Sequence, residues 1–317
     1  MYYIGIDLGG TQIKGGIVDE EGKIIKKDSI PTGRTRKSEE IVNDICLLIK
    51  KLLSDENLSE NDIYSVGIGS PGSLDRERGI IIANFNLGFR YVAIREAIRK
   101  VIPVPIYVEN DANCAAIAES VAGVAKGLDY AVLITIGTGI GGGIIINNKL
   151  YIGANGAAAE LGHMVLKMNG EACTCGRKGC WEAYSSATAL IRQTKAAVVK
   201  NPSSKILELV GGDLDKIDAK TAFDAARMGD ETAIEVIDEY IDILAEGLAN
   251  IVNIFQPDVI AIGGGVSKEG ENLLTPLREK MKGRTFFIGD LKNTQIVAAQ
   301  MGNDAGIVGA ALISKRI

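Results

Sequence analysis

Apolar and polar positions alternate along the chain in two different periods. Short apolar runs of strand length predict β-strands at 2–7, 13–18, 23–30, 65–69, 105–109, 130–136, 141–146, 150–152 and 259–262. Helical periods between and after them predict α-helices at 38–53, 92–102, 112–122, 181–200, 219–228, 232–255 and 304–314. Strands and helices that alternate along the whole chain are typical of α/β proteins, so we expect this fold class.

The helix predicted at 38–53 has an acidic first turn and one apolar face. We expect Ser38 to cap its first turn, where the acidic Glu39 and Glu40 suit the positive end of the helix dipole. Its apolar positions fall on one face: Ile41, Ile45, Leu48 and Leu52. The sequence therefore predicts an amphipathic helix at 38–53.

The pattern of the first 30 residues returns later in the chain. An apolar run, a glycine turn, a second run, a polar turn and a third run occur at 2–30 and again at 130–152. This internal echo indicates a duplicated α/β domain, with a boundary near 123–128.

Composition narrows the class of protein. The chain has 317 residues, of which 46% are hydrophobic, and a formal net charge of −5 without a basic block. That charge argues against nucleic acid as a partner. A membrane span needs about 18 or more consecutive apolar residues, and no such run occurs. The N-terminus resembles a strand rather than a signal peptide, so we expect a cytoplasmic protein.

Glycine turns are the first candidate binding features. The turn that follows Asp7 contains Gly9, Gly10 and Thr11, and its echo contains Gly137, Thr138 and Gly139. Such turns let backbone N–H groups approach an anion, although a glycine turn is often only a hairpin. Two matching turns in two halves predict a pair of loops that face one polyphosphate across a cleft.

Other residues near these turns have predicted roles in nucleotide binding. Asp7 is expected to hold Mg²⁺ or its water shell. Lys14 lies near the phosphates in this interpretation, or is simply solvated. A third turn, which contains Gly264 and Gly265, follows a strand and is expected to let an adenine ring lie close to the backbone.

The segment Glu109-Asn110-Asp111 follows a short strand and precedes a helix. Asp111 is our candidate general base for phosphoryl transfer to a hydroxyl, although it is also a candidate N-cap. Asn110 and Asn86 carry amides that both donate and accept hydrogen bonds. Acids and amides without a basic cluster suit a neutral polyhydroxyl substrate, and Glu160 and Glu182 extend this set.

The only histidine and three of the five cysteines lie close together in the sequence: His163, Cys173, Cys175 and Cys180. One imidazole and three thiols form a His/Cys₃ set that suits a tetrahedral zinc ion. The glycines within this segment fit a chain that folds tightly around an ion. Buried unligated cysteines and disulfides are the alternatives.

These motifs resemble those of the ROK family of sugar kinases, within the actin-like ATPase fold. Asp7–Thr11 and Ile136–Gly142 resemble the two phosphate loops of the family, and Asn110-Asp111 its sugar-binding pair with the aspartate as general base. The segment from Glu160 through the cysteines to Glu182 resembles its sugar-and-zinc signature. Phe89 stands where similar proteins have Trp.

The resemblance implies a two-lobed actin-like ATPase (ribonuclease H-like) fold, with a small lobe at 1–120 plus about 303–317 and a large lobe with the zinc loop at 121–302. It also implies ATP with Mg²⁺, structural Zn²⁺, and a homodimer or higher homo-oligomer. His163 would offer zinc one ring nitrogen and the sugar the other. The sugar would contact Asn86, Asn110, Asp111, Glu160, His163 and Glu182.

The predicted activity is ATP-dependent phosphorylation of a hexose, with glucose as the first choice and Asp111 as the base. Alternatives are a kinase for N-acetylmannosamine, N-acetylglucosamine or fructose, a non-catalytic sugar-binding regulator, and a non-sugar ATPase of the same fold. Polyphosphate stays open as an alternative donor. Asp7 lies too near the N-terminus for a preceding helix-turn-helix, so we do not expect a repressor.

Overall fold

A computed structural model describes residues 1–84, 86–286 and 293–317. Its strands, numbered in chain order, are β1 Tyr2–Leu8, β2 Gln12–Val18, β3 Ile24–Pro31, β4 Ile63–Gly69, β5 Ser73–Asp75, β6 Ile80–Asn84, β7 Phe89–Val92, β8 Ile106–Glu109, β9 Tyr130–Ile136, β10 Ile140–Ile146, β11 Lys149–Leu150, β12 Val259–Gly263 and β13 Gln295–Ala298. All the strands predicted from the sequence are present, with ends that shift by a few residues.

The helices, numbered in the same way, are α1 Ser38–Asp55, α2 Ile94–Arg99, α3 Asp111–Ala122, α4 Glu182–Ser185, α5 Ala187–Lys200, α6 Lys205–Leu209, α7 Thr221–Arg227, α8 Glu231–Phe255, α9 Glu271–Met281 and α10 Ala305–Ala311. The mixture of strands and helices along the whole chain confirms the α/β class. Within the described ranges, no helix combines the length and the apolar character that crossing a lipid bilayer requires.

Two five-stranded sheets share one topology. The first has the strand order β3-β2-β1-β4-β8, and the second has β11-β10-β9-β12-β13. In each, the third strand in chain order lies at one edge, followed by the second, the first, the fourth and the fifth. The internal echo in the sequence is therefore a duplicated sheet.

The chain forms two compact units. The first comprises Met1–Leu133, Gly143–Ala159 and Gln300–Ile317, and the second comprises Ile134–Gly142 and Glu160–Ala299. Strands β9 and β10 each pass from one unit into the other. The lobe boundaries expected from the resemblance, 1–120 with 303–317 and 121–302, stay a prediction.

The carboxyl ends of three parallel strands lie side by side in the first sheet. Strand β1 is parallel to β4, and β4 is parallel to β8. Asp7 lies opposite Gly69, and Gly69 lies opposite Glu109, so these residues form a row across the sheet. In open α/β sheets the carboxyl ends of parallel strands are where ligands bind.

Helices α1 and α10 pack on this sheet through different kinds of contact. The apolar face of α1 is buried as predicted and joins the main core of the first unit. Helix α10 instead approaches the sheet through glycine. A Cβ atom at Gly67 would lie 1.8 Å from the carbonyl oxygen of Ala310, so only glycine permits this contact.

Several predicted helix ends are wrong. Lys37, not Ser38, occupies the N-cap position of α1, and it makes no side-chain capping bond. The helix expected at 92–102 is limited to α2, because Val92 still pairs in a sheet and the chain continues after Arg99 only as a hydrogen-bonded turn. The helix expected at 181–200 divides at Ser186, whose side chain accepts from Ala189 N–H and starts α5 afresh.

The structure also contains elements that the pattern did not predict. Strands β5, β6 and β7 form a separate antiparallel sheet of three strands. Helix α6, helix α9 and strand β13 are likewise new. Pro276 lies inside α9, and proline disfavours a helix interior because it has no N–H to donate.

Candidate functional site

Asp7 lies at the carboxyl end of β1 beside a positive charge. Its Oδ2 atom is 3.7 Å from Lys14 Nζ on the neighbouring strand β2. Removal from water raises the pKa of Asp7, Lys14 opposes this, and the negative charge of Asp111 raises the pKa further. Asp7 and Asp111 are therefore close enough to interact electrostatically, and Lys14 contacts Asp7 directly.

The first glycine turn joins β1 to β2. Gly9 N–H donates to the Gln12 carbonyl at 3.1 Å, and the Thr32 hydroxyl donates to the Gly9 carbonyl at 2.8 Å. A Cβ atom at Gly10 would lie 3.9 Å from the Cβ of Asn86, so Asn86 lies beside this turn. Thr11 and Asn86 are both exposed, which leaves their side chains accessible to a ligand.

Asn110, not Asp111, is the N-cap of α3. Its Oδ1 atom accepts from the N–H groups of Ala112 at 2.9 Å and Asn113 at 3.2 Å. Asp111 is therefore the first helical residue, and the alternative that it caps the helix is wrong. The cap fixes the backbone from which the Asp111 side chain projects.

The Asp111 carboxyl group has an unusual environment. Asp111 is an exposed residue, yet neighbouring protein removes part of the water around its carboxyl group, and this desolvation raises its pKa. Hydrogen bonds from Ala112 N–H and from the Asn110 side chain oppose this rise. A carboxylate with a raised pKa is a better proton acceptor than an ordinary aspartate, which is the property that a general base needs.

Behind Asp111, several acids converge on one buried thiol. The pKa of Cys114 is raised well above its ordinary value by burial, and the charges of Glu109, Asp111 and Asp7 add to the rise. The three carboxylates thus lie around the start of α3. Glu109 is 1% exposed and pairs with Arg76, a residue that the sequence analysis did not identify.

The second unit contains the predicted histidine and cysteine set as one cluster. One ligand atom from each of the four residues lies within 4.8 Å of all the others. Cys175 Sγ is 3.7 Å from Cys180 Sγ, and Cys173 Sγ is 3.6 Å from His163 Nδ1. Tetrahedral zinc bonds of about 2.3 Å to sulfur and about 2.1 Å to nitrogen separate neighbouring ligand atoms by about 3.6–3.8 Å, so the set fits zinc.

Two glycines shape this cysteine loop. Gly176 and Gly179 have φ values of +87° and +80°, which favour glycine. A Cβ atom at Gly179 would also lie 1.7 Å from the Lys167 carbonyl oxygen. The glycines of the sequence motif therefore turn the chain so that Cys175 and Cys180 approach each other.

Glu182 connects the cysteine loop to the second glycine turn. Its Oε1 atom accepts from the Thr174 hydroxyl at 3.2 Å, and its Oε2 atom accepts from Ile140 N–H at 2.9 Å. A Cβ atom at Gly139 would lie 2.3 Å from Oε2, so glycine is needed there for the carboxylate to reach the turn. Glu160 differs, since it is exposed at the start of the short 3₁₀ turn that carries His163.

The second and third glycine turns lie together. Gly137 N–H donates to the Gly139 carbonyl at 2.9 Å, and the Thr138 carbonyl accepts from the Thr188 hydroxyl at 2.8 Å. Gly264 has a φ of +88°, and its Cβ position is 2.4 Å from the Ile136 carbonyl oxygen. Gly265 follows it and is exposed. The third turn therefore packs against the end of β9, next to the second.

The structure thus groups the predicted residues within each unit. The first unit contains Asp7, the first glycine turn, Lys14, Asn86, Asn110 and Asp111, and the second contains the zinc set, Glu160, Glu182 and the other two turns. The expectation that both groups bind one nucleotide and one sugar stays a prediction. Arg76 and Thr188 were missed because neither belongs to a recognisable motif.

Comparisons with known proteins agree on one family. The profile of the ROK family matches residues 3–317. A glucokinase of Thermotoga maritima is 41% identical over 98% of this chain and 96% of its own length.

Solved structures agree with the sequence comparison. A ROK family glucokinase from Streptomyces griseus, in complex with glucose and AMPPNP, has a TM-score of 0.80 and 38% identity, and the match covers 98% of each chain. A ROK hexokinase from Thermus thermophilus has a TM-score of 0.82 and 31% identity, over 99% of this chain and 97% of that one. These likenesses confirm the actin-like ATPase fold that the sequence motifs predicted.

Proposed function

The chain belongs to the ROK family, and from that membership and the geometry of its sites we propose that it is an ATP-dependent glucokinase. It transfers the γ-phosphoryl group of ATP to a hydroxyl of glucose and forms glucose 6-phosphate. The observation that carries this proposal is the match over nearly the whole chain to glucokinases, one of which binds glucose and AMPPNP. Asp7, near the carboxyl end of β1, and Asp111, just after β8, are the acids proposed to bind the metal and to accept the proton in such a transfer.

Asp111 is the proposed general base. As the sugar oxygen forms a bond to the γ-phosphorus, the bond from that phosphorus to the bridging oxygen of ADP breaks, and the hydroxyl proton moves to Asp111. The raised pKa of this carboxyl group supports the role. Positioning and charge stabilisation account for most catalysis of phosphoryl transfer, so the orientation of Asp111 matters as much as its basicity.

The sugar is proposed to bind through neutral amides and acids. Asn86 lies beside the first glycine turn, and Asn110 lies beside the base. Glu160, Glu182 and His163 are the proposed contacts in the second unit. Because His163 directs Nδ1 at Cys173, its Nε2 atom is the one proposed to meet a sugar hydroxyl.

The nucleotide is proposed to bind the glycine turns. Backbone N–H groups at Gly9, Gly10 and Thr11, and at the 137–139 turn, are the proposed phosphate ligands. The turn with Gly264 and Gly265 is the proposed adenine contact. Asp7 would hold Mg²⁺ through its water shell, and Lys14 balances the charge of that carboxylate. Bound Mg²⁺ neutralises negative charge on the β- and γ-phosphates.

A structural zinc ion is proposed at His163, Cys173, Cys175 and Cys180. The spacing of their ligand atoms supports this role. Reduced thiols and an ATP substrate also support the proposed cytoplasmic location, and a homo-oligomer stays a prediction.

A coupled assay that follows ADP formation tests the proposal. The purified protein is given MgATP and, separately, glucose, fructose, N-acetylglucosamine or N-acetylmannosamine. We expect kcat/KM to be highest for glucose and glucose 6-phosphate to be the product. Turnover with another hexose alone would change the substrate assignment, and no turnover with any would favour a sugar-binding regulator. Replacing ATP with polyphosphate identifies the donor.

A further inference from the structure

An arginine from the three-stranded sheet reaches the strand end that precedes Asp111. Arg76 follows β5 directly, and its Nε atom donates to Glu109 Oε2 at 2.6 Å while Nη2 donates to Oε1. Its third nitrogen, Nη1, donates to the Gly156 carbonyl oxygen. A forked pair with a carboxylate fixes direction as well as charge, which a lysine does not do.

Glu109 also binds the residues on either side of the candidate base. Its side chain is 1% exposed, and its Oε1 atom also accepts from Asn110 N–H at 2.7 Å and from the Asn113 amide at 2.9 Å. One carboxylate therefore holds the main chain immediately before Asp111 and a side chain in the first turn of α3.

A second arginine holds the first one in place. Arg95, in α2, donates through Nη2 to the Arg76 carbonyl at 2.7 Å and through Nε to the Ile106 carbonyl at 3.0 Å. Ile106 is the first residue of β8, the strand that ends at Glu109. The sheet of β5–β7 is thus tied to both ends of the strand that leads to the site.

We propose that Arg76 is a positioning residue for phosphoryl transfer, which holds Glu109 and thereby orients Asp111 and Asn110 toward the sugar. The proposal rests on the function proposed above. A buried ion pair contributes little net stability compared with apolar residues of the same shape, so stability alone does not account for this pair. Its hydrogen bonds instead converge on the residues that precede and follow the base.

The first test replaces the arginine and separates kcat from KM. Arg76→Ala is expected to lower kcat for glucose by roughly 10–100-fold, since a misplacement of about 1 Å has costs of that size. KM for ATP should change less than about threefold, because the hydrogen bonds described for Arg76 go to Glu109, Gly156 and Arg95 and not to the glycine turns. Arg76→Lys keeps the charge but loses the fork, so an intermediate kcat is expected.

Arg78→Ala is the matched control. Arg78 lies two residues away on the same turn, its side chain is 78% exposed, and its ion-pair partner is Asp75. We expect its kinetic constants to equal those of the unmodified protein. Equal losses in the two variants would mean that the turn, rather than the fork to Glu109, is responsible, and would overturn the proposal.

The second test asks whether Arg76 acts through Asp111. In an Asp111→Ala background, adding Arg76→Ala should lower kcat by less than a further factor of about two. The reason is that the effects of substitutions at residues that act as a unit do not add. A full additional loss would contradict the proposal and indicate a general structural role. Near-normal turnover of Asp111→Ala alone would remove the base assignment and this inference with it, whereas glucose phosphorylation by the unmodified protein tests the function separately.

A paired variant guards against simple misfolding. Arg76→Met with Glu109→Gln removes both charges together and leaves no unpaired buried ion, so the melting temperature should stay near that of the unmodified protein. We still expect a low kcat, because the forked pair between positions 76 and 109 that fixes the backbone before Asp111 is gone. Normal kcat in this stable variant would overturn the proposal.

Discussion

The two strand-turn-strand segments of this duplicated fold, around 9–11 and around 137–139, have the same topology but different chemistry. Both glycine turns join the first and second strands of a sheet with one strand order. In the first, the residue two positions before the turn is Asp7, which interacts with Lys14 and Asp111. In the second, the corresponding residue is Thr135, which has no charge.

The second turn receives its carboxylate from elsewhere in the chain. Glu182 extends from the end of the cysteine loop and accepts a hydrogen bond from Ile140 N–H, the first residue after the turn. The two halves therefore share the glycine turn between their first two strands, whereas the acid beside each turn comes from a different place in the chain. The proposed acid–base and metal chemistry belongs to the first half, and the zinc-supported contacts belong to the second.

The largest expected effect comes from the base in the first half. Asp111→Ala should lower kcat by roughly 10²–10⁴, the usual contribution of a positioned general base. Asp111 is not the helix cap, so the cap at Asn110 and the fold should survive. A coupled assay of glucose 6-phosphate formation and a melting curve measure the two properties.

Glu39→Gln is the matched control for this change. Glu39 is an exposed acid in the first turn of α1, as Asp111 is in the first turn of α3, but it has no proposed role in binding or catalysis. Its kcat should be normal. Near-full turnover in the Asp111→Ala variant would show that Asp111 is not the general base.

The next effect tests the asymmetry between Asp7 and Thr135. Asp7→Asn should lower the rate about 10–100-fold and raise the Mg²⁺ concentration needed for half-maximal rate, as expected for a residue that orders the shell of a metal. Thr135→Val, at the corresponding place in the second half, should change neither. The measurement is a Mg²⁺ titration at saturating ATP and glucose. Equal losses in both variants would mean that the halves share the metal chemistry.

A smaller effect is expected from the zinc loop of the second half. Cys175→Ser should weaken zinc binding, because it removes a proposed ligand. It should also raise KM for glucose, because the loop that carries Glu182 loses support. Metal content by mass spectrometry and a glucose titration measure the two. Cys46→Ala, which removes a buried cysteine of the first unit outside the cluster, is the control. Loss of zinc with an unchanged KM would separate the metal from sugar binding.

Local patterns in the sequence predicted most of the fold and most of the candidate site. The apolar face of α1, the repeated glycine turns and the cysteine spacing are all encoded within short segments, so period and motif sufficed. The neighbours Asn110 and Asp111 show the limit of this approach. Both residue types cap helices well, and only the hydrogen bonds to Ala112 and Asn113 show that Asn110 does so.

Contacts between distant segments were not predictable in the same way. Arg76 and Glu109 are 33 residues apart, and nothing around Arg76 distinguishes it from an exposed arginine. The strands β5–β7 have three to five residues each, which is too short for a clear period. The residues that orient the proposed base therefore became visible only with the tertiary structure.

The smallest expected effect concerns stability and returns to the charged first half. The pKa of Asp111 is raised in the folded protein, so its ionised form disfavours folding at neutral pH. Asp111→Asn should therefore raise the melting temperature slightly at pH 7, and the gain should shrink as pH falls through the folded pKa and vanish once the unfolded carboxyl is also protonated. Glu39→Gln should give no gain, because it only removes a favourable charge from a helix start. Melting curves between pH 3 and pH 8, a range chosen around the ordinary aspartate value, measure both. A loss of stability in Asp111→Asn at pH 7 would mean that the hydrogen bonds of the Asp111 carboxylate outweigh its desolvation. The ionised Asp111 would then stabilise the first half rather than destabilise it.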